Sequence, residues 1–389
     1  IGNSLYKIFD FLGYRTVRIN HLGDYGTQFG KMIVAFRHWG SREEVEAEPI
    51  KTLLAYYVRF HEEEKTDPSL TEEARLAFAA LERGDRAETE LWQWIRDESL
   101  KEFNRVYDML GIGFDSWAGE SFYSDKMPAV IEELREKGLL KESRGAQIVD
   151  LEPYGLTPAI ITKSDGTSIY LTRDLAAALY RKKTYDFDKC LYVVASQQDL
   201  HFKQLFKVLE LMGYEWAKDC AHINFGMVSL PEGTISTRQG RVVFLEDVLN
   251  TAVEKTREIV LEKGVNAELI DETAKTVGIG AVMFNELSSN RIKDYTFDWD
   301  QVLNFDGETG PYVQYTHARC ASVLRNAEEK YGKTDFGEGL DFSVLKTPKE
   351  ERDPYIDPDL AAFPQENGGL FEASIIIPQL DDNMRFILL

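Results

Sequence analysis

Only three cysteines, Cys190, Cys220 and Cys320, occur among 389 residues, odd in number and far apart. They form no CxxC pair, which argues against a disulfide scaffold and a zinc-like spacing and points to a reducing, cytoplasmic setting. Six histidines are scattered and offer no metal cluster, so no resident metal is expected. No apolar run approaches the roughly 18 residues of a membrane helix, so a membrane partner is not expected. The phosphate-loop patterns GxGxxG and GxxxxGK[ST] are missing, and no Ser/His/Asp or Cys/His nucleophile arrangement stands out. Positive charge is in deficit: 45 Lys and Arg stand against 66 Asp and Glu, a net charge of −21. That balance disfavours general nucleic-acid binding but permits a local basic face, because charge is a sum and binding is local. The first residue is Ile1 and no signal peptide precedes it, so the expectation is a chain that starts inside a longer protein.

What is present suffices for a real core, with 43% hydrophobic and 12% aromatic residues. The length suggests two or three domains. Leu5, Ile8, Phe9 and Leu12 have helical spacing, and Gly13 closes the helix. Residues 14–20 read as a strand, followed by a glycine-rich stretch, His21 to Gly30, that is either a ligand loop or a strand-to-helix turn. Residues 41–145 are charged and helical, with stripes at Phe103, Val106, Tyr107 and Leu110 and at Met127, Val130, Ile131 and Leu134, closed by Gly111 and Gly138. They read as a helical insertion. Strands follow at Ile148–Val149, Ile160–Thr162 and Ile169–Leu171, the last two joined by a Ser164-Asp165-Gly166 turn. A helix then starts near Arg173 or Asp174. The apolar run Leu191 to Ala195, a helix capped by Asp199 and a strand over Ile223 to Val228 form a βαβ unit of a parallel sheet. Ligands of such sheets bind beyond the carboxyl ends of the strands, which singles out Gln197, Gln198, Asp199, His201 and Met227. A polar loop spans 231–241. Gly310-Pro311 opens a late helix with Val313, His317, Cys320, Val323 and Leu324 on one face and Arg319 and Arg325 on the other. Ala373 to Ile377 reads as a strand.

Taken singly these signals are weak. An Asp at a helix start is more often a cap than a ligand, and paired glutamines after a strand are more often loop residues. Their order is informative. His21-Leu22-Gly23-Asp24-Tyr25-Gly26-Thr27-Gln28-Phe29-Gly30, Asp165 to Ala176, Gln197-Gln198-Asp199-Leu200-His201-Phe202 and Asn224-Phe225-Gly226-Met227-Val228 follow one another. Together they closely resemble arginyl-tRNA synthetase, a class I aminoacyl-tRNA synthetase. Asn304 to Gly307 and Pro311 to Arg319 resemble the start of that family's anticodon-binding helical domain. The resemblance covers roughly residues 1–330.

It implies an α/β fold: a class I Rossmann-like parallel-sheet catalytic domain over 1–303, with the helical insertion at about 41–145, a signature loop at 231–241 and a helical connection at about 245–303. An all-α anticodon-binding domain, incomplete, would fill 304–389. Tyr170 and Asp174 match the family's Tyr-x-x-x-Asp that holds the arginine side chain. A guanidinium is a planar permanent cation whose donors suit a carboxylate. Gln198, Asn20 and Gln28 resemble further amino-acid contacts. Asp199 and His201 fall where ATP ribose and adenosine are met, and Met227 and Val228 where backbone reads adenine. Arg238 and Arg241 would serve the pyrophosphate, in a loop that lacks the family's lysines. Arg319 and Arg325 are candidate tRNA contacts. The implied reaction joins L-arginine to ATP, with Mg²⁺ held mainly by phosphate oxygens, then transfers it to the terminal ribose of tRNA-Arg, by a cytoplasmic monomer.

Two departures accompany the resemblance. The His-Ile-Gly-His motif is absent and would lie just upstream of Ile1, so the chain as given is expected to be nearly inactive. Residues 346–389 do not continue the helical bundle. These departures sustain an alternative, a non-catalytic synthetase-derived module that binds tRNA or a protein.

Overall fold

Leu5, Ile8 and Phe9 recur with the helical period, and the chain opens on a helix, α1 (Gly2–Phe11). Gly13 follows at φ 86°, where an L side chain would be strained. The computed structural model describes residues 1–163, 169–229, 243–262, 267–304, 309–332 and 385–388. Strand β1 (Arg15–Arg18) leads to a run of helices: α2 (Thr27–Trp39), α3 (Arg42–Ala47), α4 (Pro49–Glu63), α5 (Ser69–Glu82) and α6 (Arg86–Leu110). Ser41 caps α3 by accepting from the Glu44 N–H, and Asp85 caps α6 by accepting from the Ala87 N–H. Gly111 in the left-handed region ends α6.

These five helices have their own core, built on Ile33, Leu53, Phe60, Leu81 and Ile95. The helical insertion therefore begins at Thr27, earlier than the expected residue 41. It also ends earlier. In α7 (Met127–Glu136), Met127, Val130 and Leu134 join the sheet-domain core with Tyr123, Leu175, Leu205 and Leu209. Burying each such leucine contributes about 1.5–3 kcal/mol, so the assignment of α7 follows its apolar face.

β2 (Leu140–Ser143), β3 (Ala146–Val149) and β4 (Ala159–Thr162) form an antiparallel sheet in that order. The expected third strand at Ile169–Leu171 is instead the start of a helix, α8 (Tyr170–Tyr185). A short apolar run does not declare its period, and Leu171, Leu175 and Ala178 continue it as a helix. The expected turn at 164–166 lies outside the described residues.

The chain continues through β5 (Lys189–Tyr192), α9 (Asp199–Leu211), β6 (Cys220–His222), β7 (Val228–Ser229), α10 (Leu245–Glu262), α11 (Ile270–Ser288), β8 (Tyr295–Thr296), α12 (Trp299–Val302), α13 (Gly310–Tyr331) and β9 (Arg385–Leu388). In place of the expected strand over Ile223–Val228, the sheet strand β6 ends at His222, Phe225 makes a single bridge, and β7 begins at Val228 and pairs with β8. The α10–α12 region has a third small core around Ala252, Ala281, Phe297 and Val302.

One parallel sheet organises the site, in the order β1-β9-β5-β6. Its second strand is unexpected: β9, the last in sequence, pairs in parallel with β1 on one side and β5 on the other. Residues 385–388 thus lie in the sheet, although the sequence reading assigned 304–389 to a helical domain. Residues 1–311 with 382–389 make one compact unit and 312–381 a second, of which 312–332 are described. The expected strand at Ala373–Ile377 lies outside the described residues. Among the described residues no helix is long and apolar enough to cross a membrane.

Candidate functional site at the carboxyl edge of the parallel sheet

Leaving β1, the backbone carries Asn20 and His21 past the sheet edge, and leaving β5 it carries Val193 to Gln198. A cavity of about 730 Å³ opens there. Asn20, His21, Tyr107, Glu120, Tyr170, Asp174, Arg181, Gln198 and His201 line it. Three of these come from α8. Tyr170, Asp174 and Arg181 are spaced i, i+4 and i+11, which brings them to one face of a helix of 3.6 residues per turn.

Asp174 is the centre of the polar constellation. Its Oδ2 lies 2.6 Å from Nε2 of His201 and its Oδ1 3.3 Å from Nε2 of His21. Burial by itself would push this carboxyl up. The hydrogen bonds from His201 and His21 outweigh it and hold Asp174 well below the usual carboxylate range. No Lys or Arg among the described residues lies within ion-pair distance of Asp174. The site therefore presents a buried negative charge whose direct partners are two imidazoles. Beside it, the Tyr170 ring stands edge-on to His201 with centroids 5.9 Å apart, and Tyr170 is 63% exposed where it lines the cavity.

Glu120 adds a second carboxylate, paired with Arg173 at 2.8 Å. Burial pushes its carboxyl up, partly offset by Arg173 and His21. The loop that carries it is pinned by Asp24, which accepts from the Ser121 N–H and hydroxyl, each at 2.8 Å, and from Arg96 Nε at 3.0 Å. Asp24 sits in the glycine-rich stretch, so that stretch works as a brace for the loop bearing Glu120. A Cβ at Gly119 would fall 2.7 Å from both Asp24 Oδ1 and the Leu22 carbonyl oxygen, which explains the glycine.

The other expected site residues are placed as follows. Asn20 lines the cavity and donates to the Tyr107 hydroxyl at 3.0 Å. Gln198 lines it from a short 3₁₀ turn. Gln28 does not reach it: its amide donates to the Tyr25 carbonyl at 3.0 Å, holding the turn into α2. Asp199 opens α9 but makes no capping hydrogen bond. Its carboxylate faces His222 Nδ1 at 3.2 Å and Asn224 Nδ2 at 3.1 Å. The Met227 N–H donates to Asp294 at 2.7 Å and its carbonyl accepts from the Tyr295 N–H at 3.1 Å, so its backbone donor is already paired. Val228 lines a different cavity, of about 420 Å³, with Ile1, Leu110 and Phe297. Arg238 and Arg241 lie outside the described residues. Arg319 and Arg325 are exposed on α13, in the second unit, where Arg319 Nη1 donates to the Tyr315 hydroxyl at 3.4 Å.

Sequence reasoning assigned no role to His21, Glu120, Tyr107 or Arg181. For Arg181 a signal existed: an arginine on the same helical face as Asp174, in line with Leu171 and Ala178, is a charge placed on a buried stripe. Glu120 had none, because its loop is brought in by the distant Asp24.

A parallel sheet with a polar cavity past its carboxyl edge and a helical insertion after the first strand is the class I aminoacyl-tRNA synthetase catalytic fold. The family model for tRNA synthetases class I (R), catalytic domain, matches residues 1–299, and the chain belongs to that family. An arginine--tRNA ligase of Clostridioides difficile is 66% identical over 345 residues, 89% of this chain and 60% of that protein. Its counterpart in Halothermothrix orenii is 60% identical with the same coverage of both. Among solved structures, the arginyl-tRNA synthetase of Plasmodium falciparum superposes with a TM-score of 0.69 at 26% identity, covering 89% of this chain and 58% of that one. That of Thermus thermophilus gives 0.69 at 25% identity, covering 85% and 60%. The chain thus spans about 60% of the length of the curated relatives it matches.

Proposed function

We propose that this chain carries the arginine- and ATP-binding core of an arginine–tRNA ligase. The observation that supports this best is Asp174, a largely buried carboxylate without a Lys or Arg partner among the described residues, facing the cavity beside Tyr170. A substrate guanidinium would bring a cation within ion-pair distance, with donors for both carboxylate oxygens. Tyr170 covers the planar group, Glu120 offers a further acceptor, and Asn20 and Gln198 are positioned for the polar remainder of the amino acid. Lysine brings charge without a fork, and citrulline the shape without charge.

ATP is the expected second substrate, because the family is ATP-dependent. In this reading the arginine carboxylate attacks the α-phosphate, pyrophosphate leaves, and the ribose hydroxyl at the tRNA end then takes the arginyl group. Such chemistry rests on positioning and charge neutralisation more than on a protein nucleophile. Asp199, with His222 and Asn224, is proposed for the ATP ribose, and Arg238 and Arg241 for the pyrophosphate. Mg²⁺ would ride on the phosphates and is assigned no protein ligand. Helix α13 is proposed as the start of an anticodon-binding domain.

The test is tRNA charging with each of the twenty amino acids by a protein containing this chain. Arginine alone should be incorporated, and incorporation of another amino acid in its place would overturn the assignment. Binding of tRNA without any pyrophosphate exchange in such a protein would favour the non-catalytic module.

A further inference from the structure

Behind the carboxylate, a second charged group is buried that the proposed reaction does not use. Arg181 is 1% exposed, and its guanidinium carbon lies 5.5 Å from the ring centre of Tyr123 and 5.7 Å from that of Tyr192. Its Nη2 lies 3.0 Å from Nδ1 of His21. We propose that Arg181 is a positioning residue for amino-acid recognition: it fixes His21 as a neutral imidazole with its proton on Nε2, so that His21 supports Asp174 without neutralising it. This rests on the reading of Asp174 as the arginine anchor.

The assignment follows from donors and acceptors. A guanidinium has five N–H donors and no acceptor, and it does not deprotonate in proteins. The atom it addresses on His21 must therefore offer a lone pair. The Ala118 carbonyl is 3.4 Å from the same Nδ1 and would accept from a proton there, but a protonated Nδ1 would leave the Arg181 N–H, 3.0 Å away and 0.4 Å closer, facing a donor with no lone pair. A second proton on the imidazole meets the same obstacle. With Nδ1 accepting, the proton belongs to Nε2, which lies 3.3 Å from Asp174 Oδ1. The remaining groups around His21 are the Tyr123 ring, 5.7 Å away between centroids, and the Glu120 carboxyl. Glu120 favours a cation at His21, and its charge is shared with Arg173 at 2.8 Å.

The consequence concerns competition. An imidazolium at the His21 position would add its charge to whatever His201, 2.6 Å from Asp174, supplies, and would weaken the pull on an arriving guanidinium. A permanent cation behind the ring prevents this, so one buried arginine keeps a site open for another.

Nitrogen-15 NMR of histidine-labelled chain tests this without any ligand, His21 being assigned by the signal lost in His21→Gln. The unmodified chain should show an acceptor-type Nδ1 and a protonated Nε2 on His21 from pH 8 to pH 5.5. In Arg181→Met, His21 should take a second proton over that range. The affinity for L-arginine, measured by calorimetry, should then fall about tenfold relative to the unmodified chain between pH 7.5 and 5.5, as for an ordinary imidazole. Arg181→Lys keeps a cationic donor and should restore the profile. Adding His21→Gln to Arg181→Met should also restore it, since an amide takes no proton. A proton on Nδ1, or a second proton by pH 5.5, in the unmodified chain overturns the proposal. So does an Arg181→Met chain that is merely less stable, with His21 and the pH profile unchanged. If Arg181→Met does not fold, the His21 signal in the unmodified chain and in Arg181→Lys decides. Failure to bind L-arginine at any pH would instead overturn the functional reading and leave the NMR result to judge this one.

Discussion

The proposed role of Asp174 as arginine anchor can be separated by measurement from a purely structural one. As the arginine anchor, its replacement by Asn leaves the guanidinium unbalanced in a largely desolvated site, at a cost of roughly 3–5 kcal/mol, or about two to four orders of magnitude in arginine affinity. If Asp174 only stabilised α8, melting temperature would fall and arginine affinity would survive. Its depressed folded-state pKa also sets a pH dependence. The contribution to stability is complete above the unfolded carboxyl value of about 3.9 and is lost as pH falls through the lower folded value. The stability difference between Asp174 and Asp174→Asn, followed by acid-series melting, should shrink as pH falls below about 4. The ordered motifs bring Tyr170 and Asp174 to the cavity together, but His201, which the resemblance set at the ATP ribose and adenosine, lies instead against Asp174. Gln28 belongs to the glycine-rich motif yet lies outside the cavity, because a motif does not say which of its members line a pocket and which, like Gln28 on the Tyr25 carbonyl, close a turn. Glu120 was illegible because its position depends on Asp24, 96 residues earlier by number, and no local pattern records that contact.

At the scale of elements, two glycines in the insertion test the packing argument against each other. Gly30 lies inside α2 where it crosses α5, and a Cβ there would collide with the Ala74 carbonyl and the Phe78 side chain. Backbone cannot yield as a side-chain tip can, so Gly30→Ala should cost about 2 kcal/mol or more. Gly84, in the turn between α5 and α6 at φ 76°, has open space around it. Gly84→Ala should cost only the left-handed penalty of roughly 1–2 kcal/mol. Urea unfolding of both variants checks the order, and a larger loss at Gly84 would contradict the α2–α5 contact. Helix periods made most of these elements readable, as at Leu110 before Gly111 and Leu134 before Gly138. The sheet was less readable. Ile169–Leu171 was too short to show its period, and no pattern within Arg385–Leu388 announces that it pairs in parallel between β1 and β5.

For the whole molecule, the net charge of −21 and a polyanionic partner are compatible only if charge is segregated. Arg319 and Arg325 are exposed on α13 and are the proposed phosphate contacts. Replacing both with Ala should weaken tRNA binding and shallow its log–log salt dependence by roughly 0.7–0.9 per lost contact. An unchanged slope with unchanged affinity would move the docking surface elsewhere. The central claim is narrower than tRNA charging: the cavity at the sheet edge selects arginine through the charge of Asp174. Calorimetric titration of this chain with L-arginine and with L-citrulline tests it most directly, because the two differ little in shape and by one full charge. Arginine should bind, and citrulline should bind at least about a hundredfold more weakly, given a lost buried pair of roughly 3–5 kcal/mol. Equal affinity for the two would show that the Asp174 carboxylate does not read the guanidinium.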